Sequence, residues 1–403
     1  MSKKITKIIE FLVVLFMILG SKTVYFGVIN RNSTEYALII LCIILIFSSG
    51  RKIERNTWIS FVSLFYVLMI VTALHFSDIN TDYIKQVFGL GLLFFEMAIV
   101  VTCIDRKVYI KYYINIMVVI SIISIVCLLI AVNYTQIVYR IADTVLSGKN
   151  IFIISPYYTW GWNSTVFLRN SGPFWEPGAF QGFIFIALLM LLFYKNTIKM
   201  YKIKFLILVV TFLTTQSTTG YMILGIMCLG FGSDVLKLLS GKDKGDIPSA
   251  PKVLWPIVMI GGILCIYLIM SSGVIKNKFM SDNVSMVTRN NDVTSSLKIL
   301  FEKPILGYGY GTAKLERENY LGILNNSAGL LSMMYTYGII FAIVYIYRYK
   351  QGLDSMFPFD NKIKRLCLYT IFIVVFLSEG LYWLPAFGIF LYKWPDSNCN
   401  IEM

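Results

Sequence analysis

Histidine is almost missing from this sequence: His75 is the only one. A single imidazole with no His/Cys cluster beside it leaves too few ligands for a catalytic zinc site. Nothing in the chain supports a Ser-His-Asp triad on His75, which reads as an interfacial polar residue at the end of an apolar run. The seven cysteines are Cys42, Cys103, Cys127, Cys228, Cys265, Cys367 and Cys399, and no two form a CxxC pair. Zinc-finger and redox motifs are therefore absent. Six of the seven lie in or beside apolar runs, where cysteine acts as a small packing residue. Neither long polar segment carries one, so no disulfide framework is expected. Charge is scarce too: Asp, Glu, Lys and Arg make up 14% of the chain, against about 25% in soluble domains. The chain shows no internal repeat, heptad or low-complexity tract.

What fills the chain is apolar. Of its 403 residues 57% are hydrophobic and 15% aromatic, and the mean hydropathy is +0.71. This is the composition of a polytopic membrane protein, read here as one integral-membrane domain over 1–403. A net charge of +14 also suits a nucleic-acid binder. The lysines and arginines, however, sit in short segments between apolar runs, the positive-inside pattern. The expected partner is the lipid bilayer, not nucleic acid. The N-terminal "MSKKITKIIEFLVVLFMILG" is basic and then apolar like a signal peptide. It lacks a clear small-residue cleavage site and reads as an uncleaved first membrane helix.

Windows of about 17–25 apolar residues mark membrane helices. They fall at 8–29, 35–50, 57–75, 84–104, 112–133, 177–194, 203–216, 219–236, 253–272, 325–347 and 365–382, with a short twelfth at 383–393. The expected fold is all-α, with about 11–12 transmembrane helices. Basic clusters begin with Lys3, Lys4 and Lys7 and continue with Arg51, Lys52 and Arg55, then Arg106, Lys107 and Lys111. Others hold Lys195, Lys199, Lys202 and Lys204; Lys237, Lys242, Lys244 and Lys252; and Arg348, Lys350, Lys362, Lys364 and Arg365. One topology satisfies all of them, with the N-terminus cytoplasmic. Two long segments, 134–176 and 273–324, then lie outside, and loops of that length are usually functional. The linker "SGKDKGDIPSAPK", Ser240 to Lys252, falls inside and reads as solvated.

Five stretches carry polar chemistry against this background. In "LRNSGPFWEPGAFQGF" Arg169 and Glu176 sit where the first long loop re-enters the membrane. Pro177 suits a first helical turn, and Glu176 is placed either as an N-cap favoured by the helix dipole or as a chemical group. Gly172 and Gly178 permit close backbone approach. Arg169 needs a partner on a side poor in positive charge: Glu176, or the phosphate of a lipid head group, which the guanidinium fork fits. "TTQSTTGYMILGI" puts hydroxyls and an amide, Ser217 and Thr218 among them, between two apolar runs. It reads as a tight polar turn or as a rim for sugar or phosphate. In "TRNNDVTSSLKILFEKPILGYGYG" Asp292 is placed to cap a helix starting near Val293. Val293, Leu297, Leu300 and Phe301 then share a face suited to the membrane interface. "GYGYG", with Tyr308 and Tyr310, is no phosphate-binding loop, because GK[ST] is missing; it is a flexible turn or a platform for sugar rings. Arg289 is a second outer cation. Asn325 and Asn326 open "LNNSAGLLSMMYTYG" as caps, and Glu379 lies in "FLSEGLYWLPAF", where an intramembrane carboxylate is a functional candidate.

These motifs, in this order over about residues 165–390, resemble the O-antigen polymerase and ligase superfamily. The N-terminal half is similar only in hydropathy. The resemblance implies a bacterial inner-membrane glycosyltransferase with a GT-C-like fold and an active periplasmic face. It would transfer a growing glycan from undecaprenyl diphosphate onto the next lipid-linked repeat unit of an O-antigen, capsule or exopolysaccharide. It implies no metal and no other cofactor, and a flippase and a chain-length regulator as partners. Family arginines of the two outer loops bind the diphosphate, and these correspond here to Arg169 and Arg289. Gly172, Ser217, Thr218, Tyr308, Tyr310, Asn325 and Asn326 would line the substrate, with Glu176 as the base and Asp292 and Glu379 behind it. The ligase branch carries a histidine in its second long loop. Residues 273–330 hold none, which favours the polymerase branch. A transporter of lipid-linked sugars is the alternative from another class. It would concentrate charge at the middle of the bundle, often on broken helices.

Overall fold

The computed structural model describes residues 3–75, 81–134, 169–240, 284–321, 328–359 and 361–395. Within them the chain is helical and contains no strand. The helices are α1 (Lys3–Leu19), α2 (Arg31–Ser49), α3 (Arg55–Leu74), α4 (Thr81–Cys103), α5 (Arg106–Asn133), α6 (Pro177–Tyr194), α7 (Tyr201–Thr214), α8 (Thr218–Ser240), α9 (Val284–Glu302), α10 (Tyr310–Leu321), α11 (Gly329–Met356), α12 (Lys362–Ser378) and α13 (Pro385–Gly388). Among the described residues seven stretches are long and apolar enough to cross a membrane: Arg31–Ser49, Arg55–Leu74, Tyr83–Cys103, Arg106–Ile130, Pro177–Thr197, Thr218–Leu239 and Gly329–Met356. The protein is an all-α polytopic membrane protein. The expected span at 253–272 lies outside the described residues.

α6 is the axis of the bundle. Every residue from Pro177 to Tyr194 except Phe193 is buried. A helix apolar all round has no face to give to water, and here protein rather than lipid covers it: α5, α7 and α8 pack against it. α2 and α3, by contrast, expose Tyr36, Ile40, Phe47, Tyr66 and Leu74, as helices on a lipid-facing rim do.

The chain between Leu381 and Trp394 fills the core beside α11. Leu381–Trp383, Pro385–Gly388 and Ile389–Leu391 each form a single helical turn, and almost all their side chains are buried. Irregular backbone at this depth is tolerated when its polar groups find partners inside the protein. Trp394 N–H donates to Ser355 Oγ (2.9 Å), Ala386 N–H to Ser21 Oγ (3.3 Å) and the Tyr392 hydroxyl to Phe94 O (2.5 Å). The expected twelfth span is thus a buried plug of turns.

The basic loops gather at the end of the bundle away from the start of α6. Arg51 meets Asp105 (3.1 Å), Arg106 donates to Ser355 O (2.5 Å), and Lys364 meets Asp234 (2.7 Å). The first expected helix, 8–29, is split. α1 ends at Leu19, the chain turns through Lys22 at φ +58°, and a short wide-turned helix, Val24–Ile29, leads into α2. The helix expected near Val293 begins earlier, at Val284. Asp292 therefore sits in its third turn, buried, and is no cap. Nor do the four apolar residues share a setting: Leu300 is buried, while Val293 and Phe301 are exposed. Packing against α11 selects one side of α9 and turns the other outward.

Candidate functional site

The mouth of α6 is built by three distant parts of the chain. Residues 22–24 run antiparallel to 173–175. Val24 N–H donates to Pro173 O (2.9 Å), Trp175 N–H donates to Lys22 O (2.9 Å), and Thr23 bridges Phe174. This short ladder ties the end of α1 to the segment leading into α6. A lysine in the left-handed region is uncommon, and strain of this kind persists where the surroundings hold it. Here the ladder and the side-chain contacts hold it.

Lys22 Nζ lies 3.6 Å from Glu176 Oε1 and 3.8 Å from Glu379 Oε2. Glu176 occupies the N-cap position of α6 and Pro177 the first helical position, as the sequence suggested. Its carboxylate makes no capping hydrogen bond and faces Lys22 instead. Glu379 caps the C-terminus of α12, is buried, and reaches the first turn of α6. Gly178 makes room for it, since a Cβ there would stand 2.2 Å from Glu379 Oε1. The positive end of the α6 dipole favours both carboxylates, while Glu379 also stands at the negative, C-terminal end of α12.

The segment before Glu176 is pinned to the turn between α7 and α8. Arg169, half-buried, donates from Nε to Thr215 O (3.1 Å). Asn170 N–H donates to Thr214 O (3.0 Å). Its side-chain amide donates to Thr214 Oγ1 (3.0 Å) and Ser124 Oγ (3.1 Å), and its Oδ1 accepts from Gly172 N–H (2.9 Å). Gly172, at φ +53°, closes this turn over the Phe180 ring. In the hydroxyl-rich turn Thr215, Ser217 and Thr219 are buried, and Thr218 opens α8 half-buried. That stretch is packed into the bundle more than it forms a rim. One turn into α6, Gln181 is buried and its Oε1 has no hydrogen-bond partner among the described residues.

Arg169, Gly172, Glu176, Ser217, Thr218 and Glu379 thus belong to one neighbourhood. Tyr308 and Tyr310 belong to another. Tyr308 packs with Ile299, Leu300, Ala313 and Tyr335 in a separate small core, and Tyr310 stacks on Tyr83 (6.5 Å). Their backbone docks where α11 breaks at Gly338: Tyr308 N–H donates to Tyr335 O and Gly309 N–H to Thr336 O, both at 2.9 Å. His75 closes the same corner with Nε2 at 3.0 Å from Gly307 O. Asp292 lies on α9, also outside the α6 mouth. Arg289 is on α9 with its side chain outside the described residues, as are Asn325 and Asn326.

Two charged residues were passed over in the sequence. Lys22 was hidden in what read as the continuous span 8–29. Glu96 lies buried within the span Tyr83–Cys103, and its signal was legible: a lone carboxylate in "FFEMAIVV". Among the described residues no three His, Cys, Asp or Glu side chains are grouped to hold a metal. The chain matches no protein-family model, no curated protein and no solved structure.

Proposed function

We propose that the protein is a membrane glycosyltransferase of GT-C-like fold that polymerises polysaccharide repeat units carried on undecaprenyl diphosphate. By the positive-inside reading, the α6 mouth is the periplasmic face of a bacterial inner membrane. The observation that carries the proposal is the meeting of Glu176 and Glu379 on Lys22 (3.6 and 3.8 Å) beside the segment holding Arg169. Such a transfer needs a base for an acceptor hydroxyl and cations for a departing diphosphate. In the proposed step the acceptor oxygen bonds to the anomeric carbon as the bond from that carbon to the phosphate oxygen breaks. The hydroxyl proton passes to Glu176, and the negative charge leaves on the lipid diphosphate. Arg169, and Arg289 from the second long loop, would hold that diphosphate.

A second reading, a transporter of lipid-linked sugars, is favoured by one observation. Glu96 is a buried carboxylate within a span, a feature of transport pathways.

The test is a surface-polysaccharide gel from a strain lacking this gene, complemented with wild type, Arg169→Ala or Glu176→Gln at matched protein level. A polymerase leaves a single repeat unit on the anchor and no ladder, and both variants fail to restore the ladder. Polymer accumulating on the carrier lipid would mean ligase. Repeat units trapped on the cytoplasmic side would mean transporter. An inserted, fully active Glu176→Gln protein would remove Glu176 as the base.

A further inference from the structure

The exposed side of α9 changes character along its length. Asn290, Asn291 and Thr294 are exposed first, with Val287 (46%) and Val293 (39%) among them, then Lys298, then Phe301, which is the most exposed at 75%. Lys303 follows, and Ile305 is 62% exposed. The other side of the same turns is well packed, with Ile299 and Leu300 inside the core that also holds Tyr308 and Tyr335. The outward apolar groups therefore do not reflect a loose helix end. Their level in the bundle is set by neighbours. Ile339 N–H donates to Pro304 O (2.9 Å), His75 faces Gly307 O (3.0 Å), and Tyr83 stacks on Tyr310. His75 directly follows one candidate span and Tyr83 opens the next. The corner thus lies at the boundary of two membrane-crossing helices.

We infer that the corner Lys298–Ile305 is a lipid-binding surface for anionic phospholipid. Phe301 and Ile305 enter the apolar edge of the adjoining leaflet, and Lys298 and Lys303 hold headgroup phosphates. A mainly polar start, then a cation, then the most exposed apolar ring follows the order of water, headgroup and acyl chain across an interface. Lysine suits the middle layer because its stem is apolar and its ammonium reaches outward. Lys303 Nζ stands 4.5 Å from the centre of the Tyr308 ring, which fixes it at that level. Glu302, the carboxylate between the two lysines, accepts from the Tyr308 hydroxyl (2.5 Å). The two lysines and one carboxylate leave a positive corner. The inference is independent of the reaction proposed above.

The experiment places the photo-crosslinker p-benzoylphenylalanine at Phe301 in the full chain. The protein is reconstituted into nanodiscs of equal parts phosphatidylglycerol and phosphatidylcholine, irradiated, and read by intact mass. A lipid adduct is expected, enriched in phosphatidylglycerol. One lysine near an anionic surface is worth a factor of about five in binding, so enrichment should be of that order. Lys298→Glu with Lys303→Glu should keep the adduct and lose the preference. The same label at Asn290 should give no lipid adduct. Absence of a lipid adduct at 301, an adduct without headgroup preference, equal labelling from 290, or crosslinking to a second copy of the chain would each overturn the inference. The last would make the corner a dimer contact.

Discussion

Replacing Lys22 with methionine removes the cation that two carboxylates share while keeping most of its apolar stem. At the observed 3.6 and 3.8 Å, each pair is worth about 1 kcal/mol in water and about 4 kcal/mol at an effective dielectric near 20. Exposure decides where each lies in that range. The Glu176 side chain is 27% exposed and Glu379 only 8%, so the Glu379 pair carries most of the energy. Removing one partner of a largely buried pair costs about 3–5 kcal/mol when the other charge stays behind. Because Lys22 itself is 30% exposed, we expect Lys22→Met to cost about 2–3 kcal/mol, below that range. Glu379→Gln should restore much of the loss in the double variant, since it removes the charge left behind, with a coupling of about 1–3 kcal/mol. The assay is a cycle of thermal midpoints for wild type, both single variants and the double variant, in one detergent at one protein concentration. The reasoning is refuted if Lys22→Met melts at the wild-type temperature. It is equally refuted if the double variant loses the sum of the two single losses.

Three further substitutions probe the frame around the site. Gly352→Ala puts a Cβ 1.9 Å from Phe390 O, a backbone atom of the buried plug that has nowhere to go. We expect a loss above the usual overpacking cost of about 1–3 kcal/mol, seen as little monodisperse protein after extraction; normal yield and melting would show that the plug can move. Asn170→Ala removes side-chain bonds to Thr214, Ser124 and Gly172. At about 1 kcal/mol net each, the total is about 2–3 kcal/mol, measurable as a lowered melting midpoint, with faster amide exchange at Gly172 by hydrogen-exchange mass spectrometry. Tyr392→Phe removes the hydroxyl bond to Phe94 O, a carbonyl inside α4 that keeps its helical donor, and should cost about 0.5–1.5 kcal/mol, while Tyr36→Phe, an exposed control on α2, should leave the melting midpoint unchanged.

Local rules made much of this protein legible in advance. Apolar windows found the spans because a helix that meets lipid or core must be apolar over its whole length, and α6 from Pro177 to Tyr194 is the clearest case. The Glu-Pro pair placed the start of α6 correctly, because proline tolerates only the first turn of a helix. α9 was misread for a similar reason: its start at Val284 lies in a polar stretch with no apolar period to mark it, and Asp292 resembled a cap while sitting inside the helix. Lys22 was swallowed by an apolar window that had no means of showing a break.

What the sequence determined alone is therefore the class of the molecule, the position of most helices and the segments rich in polar chemistry, since these depend on neighbours a few residues apart. The tertiary structure decided which polar groups meet. Lys22, Glu176 and Glu379 lie on three segments with no local relation, and their approach depends on a left-handed turn at Lys22, a short ladder to Pro173 and Trp175, and the missing Cβ of Gly178. Likewise Phe301 and Leu300 are neighbours in the chain, and only the packing of α9 on α11 sends one outward and the other into the core. Periodicity acts over a few residues, whereas these contacts form only when the whole bundle closes.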